Sequence, residues 1–292
     1  MTDGLIIVDK PAGRTSHDVV ARIRRLAGTR KVGHAGTLDP AATGVLVVGV
    51  GKATRLLHHL VFTDKAYAAT IRLGQSRTTD DAQGEVVAVA DTRQLAAQTI
   101  YAAMCEFMGP IQQVPSAVSA VHVGGARAYE LARRGEAVDL PSRQVTITRF
   151  EALEVRRQDA FVDVDVLVEC SSGTYVRALA RDVGSRLGVG GHLTRLRRSR
   201  VGPFGLADAR TLEELGELPD PVTIPLVEAV RAAMPVRVVD DAETLALSFG
   251  KFLTPRQING VYAAVTSDDV AVALLEERDG AARPVLVFAP AG

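Results

Sequence analysis

Gly33-His34-Ala35-Gly36-Thr37-Leu38-Asp39-Pro40-Ala41-Ala42-Thr43-Gly44 runs straight into the apolar stretch Val45-Leu46-Val47-Val48. One carboxylate, Asp39, thus sits in a loop of Gly, Thr and Pro just ahead of what reads as a buried strand. Glycine lets backbone approach a ligand closely, and Asp39-Pro40 forces an extended or turn conformation on the aspartate. Such a loop holds one acidic side chain at the rim of a sheet, where catalytic groups tend to lie. Two readings stand side by side here: a catalytic carboxylate, or a strand-entry turn in which Asp39 caps backbone donors.

Upstream, Leu5-Ile6-Ile7-Val8 reads as a short buried strand and Lys10-Pro11-Ala12-Gly13 as the turn after it. Thr15 or Ser16 then caps a helix with Val19, Val20, Ile23, Leu26 and Ala27 on one face, ended by Gly28. Downstream, Tyr67, Ala69, Ile71 and Leu73 alternate with Ala68, Thr70 and Arg72 at strand period. Thr92 opens an expected helix with Ala96, Ile100, Ala103, Met104 and Phe107 facing inward. Val162, Val164, Val166 and Val168 alternate with Asp163, Asp165 and Glu169 as a half-buried strand, and Ser171-Ser172-Gly173 turns it into a helix from about Thr174. Two strand–turn–helix units therefore put Asp39 and Tyr175-Val176-Arg177 at element ends. Residues 110–142, rich in Pro, Gly and small residues, read as an insertion. From Gly202 to Pro235 the pattern breaks, which predicts a linker. Short apolar runs over 236–292 predict a small β domain.

The 292 residues suffice for a sizeable core, and 47% hydrophobic with 23% charged residues is ordinary globular composition. No apolar stretch approaches the roughly 20 residues that span a bilayer. The N-terminus lacks the features of a signal peptide, and two cysteines give neither a disulfide framework nor a cysteine zinc site. These readings predict a soluble, cytoplasmic chain. A formal net charge of zero hides an asymmetry: residues 1–78 carry twelve bases against five acids, residues 177–200 carry seven arginines against Asp182 alone, and the region after Arg210 is acidic. Segregated charge of this kind points to a polyanion such as nucleic acid, with both clusters expected to hold its phosphates.

Other candidate motifs fail on spacing. Gly49-Val50-Gly51-Lys52-Ala53-Thr54 lacks the first glycine and the metal-binding hydroxyl of a phosphate loop. His58-His59 has no partner at ligand spacing. Gly188-Val189-Gly190-Gly191 follows a helix instead of opening one, the wrong order for a dinucleotide fingerprint. No metal or cofactor signal survives.

Five motifs remain, in order: Lys10-Pro11-Ala12-Gly13-Arg14-Thr15-Ser16, the Asp39 loop, Lys65-Ala66-Tyr67, Arg72-Leu73-Gly74 and Cys170-Ser171-Ser172-Gly173-Thr174-Tyr175-Val176-Arg177. Together they closely resemble the TruB family of tRNA pseudouridine synthases, which isomerise the T-loop uridine at position 55. The resemblance is firm over residues 4–202 and looser beyond. It implies an α+β pseudouridine synthase fold: a central mixed, largely antiparallel sheet flanked by helices, plus a small PUA-like β domain. The domains it implies are a catalytic domain over 1–202 with an RNA-clamping insertion at 110–142, a linker over 203–235 and an RNA-binding domain over 236–292. It makes Asp39 the nucleophile, Tyr67 the base-stacking tyrosine that serves in proton removal, and Arg177 the partner of the aspartate. His34 would fill the space of the flipped nucleotide, while Tyr175 and Leu196 line the nucleotide pocket and Lys10 joins the substrate-binding residues. Ala35 and Ala41 stand where relatives are often larger or polar, between the functional positions. The implied enzyme needs no cofactor or metal and acts as a monomer on the tRNA T-arm stem-loop.

Two other classes compete. A non-catalytic RNA-binding protein has no need of a carboxylate at the centre of its surface. A sister synthase guided by a separate RNA within a ribonucleoprotein fits less well a chain with no basic tails and its own insertion.

Overall fold

The computed structural model describes residues 2–116, 122–123, 126–127 and 140–291. Most of the expected insertion at 110–142 lies outside them. The chain forms two compact units: Met1–Pro40, Gly44–Val61 and Gly202–Gly292 make the first, and Ala41–Thr43 with Phe62–Val201 the second.

In the first unit, β1 (Gly4–Lys10) and β2 (Val32–Ala35) both pair antiparallel with β3 (Thr43–Val50), with Ile6 and His34 each opposite Val48. Ile224–Pro225 extends the other edge of β1. β1 and β3 are buried along nearly their whole length, as their unbroken apolar runs require of strands covered on both faces. The helix α1 (Ser16–Leu26) lays Val19, Val20 and Ile23 against Ile6, Val8, Leu46 and Val48.

The expected linker is ordered. Thr211 opens the helix Leu212–Glu217 with a capping box to Glu214, and Leu212 and Leu215 enter the same core as α1. A second helix, Leu226–Ala233, buries Ala229 and Val230. The Pro and Gly that read as pattern breaks are helix boundaries and turns. The small β domain is a four-stranded sheet in the order Val236–Val239, Val261–Thr266, Ala271–Arg278 and Ala281–Val287, the first pairing parallel and the others antiparallel. Tyr262, Leu247 and Leu275 fill its core.

The second unit is built on β4 (Lys65–Leu73), followed by a hairpin of β5 (Gln75–Arg77) and β6 (Val86–Val89). β7 (Gly109–Gln113), the short pair β8 (His122–Val123) and β9 (Ala126–Arg127), β10 (Arg143–Gln158), β11 (Phe161–Cys170) and β12 (Gly191–Val201) come next. The sheet runs β12-β4-β11-β10-β7 through antiparallel ladders. The helices Ala97–Cys105 and Val176–Arg186 cover it, Ile100, Met104, Leu179 and Val183 packing on Ile71, Val164, Val166 and Val168. The first starts later than its pattern predicts: the Thr92 hydroxyl donates to the carbonyl of Ala160 at 2.8 Å, so Thr92 ties a loop instead of opening the helix. The fold is α+β, helices over sheets with a separate small β domain, as the motif order implied.

Candidate active site

On the first unit the geometry around Asp39 begins at the cap of α1. Thr15 Oγ1 accepts from the Asp18 N–H at 3.1 Å, while the Asp18 carboxylate accepts from Thr15 N at 2.8 Å and Oγ1 at 2.7 Å. This closed box fixes where the helix starts and drives Ser16 inward, where the residue is 1% exposed. Ser16 Oγ donates to the Leu38 carbonyl at 3.2 Å and accepts from the Leu38 N–H at 3.0 Å. On the other side of the aspartate, the Pro40 carbonyl accepts from Gly13 N at 2.8 Å and Lys10 Nζ at 3.2 Å. Gly13 makes that turn at φ +80°, a conformation a side chain would strain. Asp39 itself is half-buried between two anchored neighbours.

The side chain of Lys10 has no exposed surface. Its ammonium also donates to the carbonyls of Pro11 at 3.0 Å and Arg14 at 2.7 Å. The long stem folds back over its own turn, so the ammonium holds the Asp39 loop together. His34 is half-buried at the end of β2, its ring edge-on to that of His17 with centroids 5.7 Å apart.

On the second unit, Tyr67 is 7% exposed, flanked across the sheet by Val168 on β11 and Arg198 on β12. Leu196 lies opposite Ala69 and packs on the same apolar cluster. Tyr175 caps the helix Val176–Arg186, and the buried amide of Gln113 secures both of its backbone groups, accepting from Tyr175 N at 2.8 Å and donating to Tyr175 O at 3.1 Å. The Arg143 guanidinium stands 5.5 Å from the centre of its ring. Arg177, 6% exposed, donates to the Thr79 carbonyl at 2.9 Å, with Nε 3.8 Å from the Asp81 carboxylate. The expected set is therefore carried by both units: Asp39, His34 and Lys10 on the first, Tyr67, Tyr175, Arg177 and Leu196 on the second.

Two residues here escaped the sequence reading, and a third, Arg198, was expected to hold phosphate. Asp81 sits in the hairpin Thr78-Thr79-Asp80-Asp81, whose paired acids answer arginines about a hundred residues away. Gln113 lies at the end of a strand with no motif. Arg198 is hidden by a register shift between Leu193 and Arg195 that reverses which side chains of β12 face in. It is 1% exposed, and together with burial it lowers the Lys65 ammonium to about 8. Cys170, opposite Lys65, is pushed up to about 11 by burial. Among the described residues no group of three His, Cys, Asp or Glu is arranged to hold a metal, and no helix is long and apolar enough to cross a membrane.

The N-terminal domain of the TruB family pseudouridylate synthases matches residues 24–176. The chain belongs to the TruB family. It is a pseudouridine synthase enzyme. Residues 177–220 match the tRNA pseudouridylate synthase B C-terminal domain, and residues 234–289 the tRNA pseudouridine synthase II C-terminal domain. Relatives named tRNA pseudouridine synthase B from Nocardia farcinica and Rhodococcus jostii are 57% and 59% identical, covering 99% of this chain and 94% of theirs. The Thermobifida fusca protein of that name is 55% identical over 99% of each. Among solved structures, a Cbf5-Nop10-Gar1 complex shares 29% identity with TM-score 0.75, over 98% of this chain and 85% of that one. An H/ACA RNP bound to a substrate RNA containing 2'-deoxyuridine shares 28% identity with TM-score 0.73 over the same shares.

Proposed function

We propose that this TruB-family enzyme isomerises uridine to pseudouridine at position 55 in the T-loop of tRNAs, with Asp39 as the nucleophile on a flipped-out nucleotide. The observation that carries this reading is near-full-length similarity to several proteins named tRNA pseudouridine synthase B, at 55–59% identity. The reaction breaks a glycosidic C–N bond, turns the uracil and joins it to the same sugar carbon through a C–C bond. It exchanges no electrons or groups with a second molecule, so no cofactor enters the scheme.

In this scheme the Asp39 carboxylate divides one hard step into two easier ones by forming a covalent intermediate. The family resemblance makes Arg177 its partner, and a guanidinium favours the ionised, oriented carboxylate. Thr79 and Asp81 hold Arg177, so its charge is pre-set for that task. Flipping the base out costs a few kcal/mol. Stacking on the Tyr67 ring returns about 1–3 kcal/mol of it. Its hydroxyl serves in removing the proton from the new C–C-linked base. His34 takes the space of the flipped nucleotide, with Tyr175 and Leu196 lining the pocket. Residues 1–202 make the catalytic domain, 110–142 clamp the RNA, 203–235 connect, and 236–292 form a PUA-like RNA-binding domain. The enzyme works in the cytoplasm as a monomer on the T-arm.

One observation favours a second reading, an RNA-guided synthase within a ribonucleoprotein: structural relatives at 28–29% identity include an H/ACA RNP bound to a substrate RNA and an archaeal box H/ACA sRNP Nop10-Cbf5 complex. The much greater identity to the tRNA synthases supports the stand-alone enzyme. Incubating the purified chain with a tRNA transcript and no other RNA or protein, then mapping pseudouridine, separates the two. Modification at position 55 alone is expected, and Asp39→Asn should abolish it while leaving tRNA affinity largely intact, since affinity comes mostly from phosphate contacts and loop shape. Modification by the Asn variant at near the wild-type rate overturns the nucleophile assignment. Dependence on an added guide RNA overturns the stand-alone reading.

A further inference from the structure

The two basic stretches of this chain part company once their side chains are placed. Over 177–200 most of the charge is answered locally by acids, all but Asp182 from elsewhere in the sequence. Arg181 pairs with Asp80 and Asp182 at 3.2 and 2.8 Å, Arg186 with Glu106 at 2.7 Å, and Arg200 with Glu169 at 2.7 Å. Arg177 faces Asp81, Arg198 is 1% exposed, and Arg195 helps to hold the carboxyl of Asp165 low. Six of the seven arginines that look like a phosphate-binding row are spent largely on folding their own unit.

On the first unit the opposite holds. Arg25 in the last turn of α1, Arg30 and Lys31 in the turn leading to β2, and Lys52 in the 3₁₀ turn Gly51–Arg55 are all exposed. None of the four forms an ion pair among the described residues. They form one neighbourhood: the Gly51 N–H donates to the Lys31 carbonyl at 2.8 Å, which brings Lys52 beside Lys31. Arg24 ties the end of α1 to the start of β2 by donating to the Val32 carbonyl at 3.1 Å. A nearby carboxylate, Asp3, accepts from the backbone N–H of Lys52 at 2.8 Å and so is turned to the main chain. Four cations against the single carboxylate of Asp3 leave the group strongly positive, an arrangement that suits a polyanion. The group starts at the far end of α1 from Ser16, about 14 Å of helix away from the residue that pins the Asp39 loop.

We infer that Arg25, Arg30, Lys31 and Lys52 form a docking track for RNA backbone phosphates, and that the paired or buried Arg177, Arg181, Arg186, Arg198 and Arg200 do not. This rests on the reading of the chain as a tRNA-modifying enzyme and says which surface receives the part of the RNA beyond the reacting loop. The contact is to phosphates, so it carries affinity and register, with no base sequence read.

The test is the salt dependence of tRNA binding. Each phosphate contact contributes about 0.7 (single strand) to 0.9 (duplex) to the slope of log affinity against log salt, so R25Q/R30Q/K31Q/K52Q should lower its magnitude by about 3. Melting temperature and single-turnover rate at saturating tRNA should stay at wild-type values. The charge-conserving R25K/R30K/K31R/K52R should restore the slope, and Arg186→Gln should leave it unchanged. If the fourfold variant melts early, single Lys52→Gln carries the test with an expected drop of about 0.7–0.9. A wild-type slope in a folded variant overturns the track, as does an equal loss in the charge-conserving variant. Pseudouridine formation by the wild-type enzyme on the same tRNA reads the function independently. An active enzyme with an unchanged variant slope sinks only the track, whereas an inactive enzyme with a reduced variant slope sinks only the function.

Discussion

Leu38 and Pro40 flank Asp39, and each is tied to a buried polar group contributed by the turn after β1 or the start of α1. A carboxylate set in this way keeps its place without a regular element beneath it, which is what a nucleophile in a loop needs. The motif residues around Ser16 and Lys10 were legible in sequence; their partners, 22 and 30 residues further on, were not, because no local periodicity encodes a loop-to-loop hydrogen bond. Tyr67 is the residue whose two readings still diverge in outcome, since a side chain 7% exposed in an apolar cluster suits both packing and stacking on a base. Tyr67→Phe keeps the ring and removes the hydroxyl. If the hydroxyl moves a proton, single-turnover rate should fall by about 10²–10⁴-fold with near-normal tRNA affinity. A wild-type rate with a lowered melting temperature would remove Tyr67 from the catalytic set.

Strand β4 shows what alternation can and cannot reveal. Its period of two identifies Tyr67, Ala69, Ile71 and Leu73 as one face, and the structure buries all four. The same rule puts Lys65 on that face, and there it has a cost: burial and the neighbouring Arg198 hold its ammonium near 8. In the unfolded chain a lysine titrates near 10.4. Between those values the unfolded chain binds more protons than the folded one, so this group makes stability rise with pH from about 8 to 10.4 and disfavours folding below. Lys65→Met removes the effect. Unfolding free energies measured across pH 7–10.5 should therefore show the wild type gaining on the variant as pH rises through that window. A difference that stays flat with pH would mean Lys65 is solvated enough to keep an ordinary value.

At the scale of the molecule, a formal net charge of zero concealed two different surfaces, and only three-dimensional pairing of Arg186 with Glu106 and Arg200 with Glu169 tells them apart. The segment 203–235 is ordered through pairings of the same long reach. Pro and Gly counted as breaks there, whereas the residues between them form helices whose apolar side chains find partners some two hundred positions earlier. Arg210 shows the same long reach, its N–H donating to the Ile7 carbonyl and its carbonyl accepting from Asp9 N, each at 2.9 Å. Leu215 gives the sharpest test. It is fully buried in the cluster that holds Val19, Ile23, Ile6 and Val8, so Leu215→Ala should leave a cavity and cost about 2–5 kcal/mol of unfolding free energy by urea titration. In a true linker the same change would stay within about 0.5 kcal/mol. Because the lost contacts belong to the core of α1, a double-mutant cycle with Ile23→Ala should show a coupling of about 0.5–3 kcal/mol. A small single-site cost combined with additive behaviour would show that 203–235 hangs loosely on the first unit, and that the N-terminal strands hold their core without it.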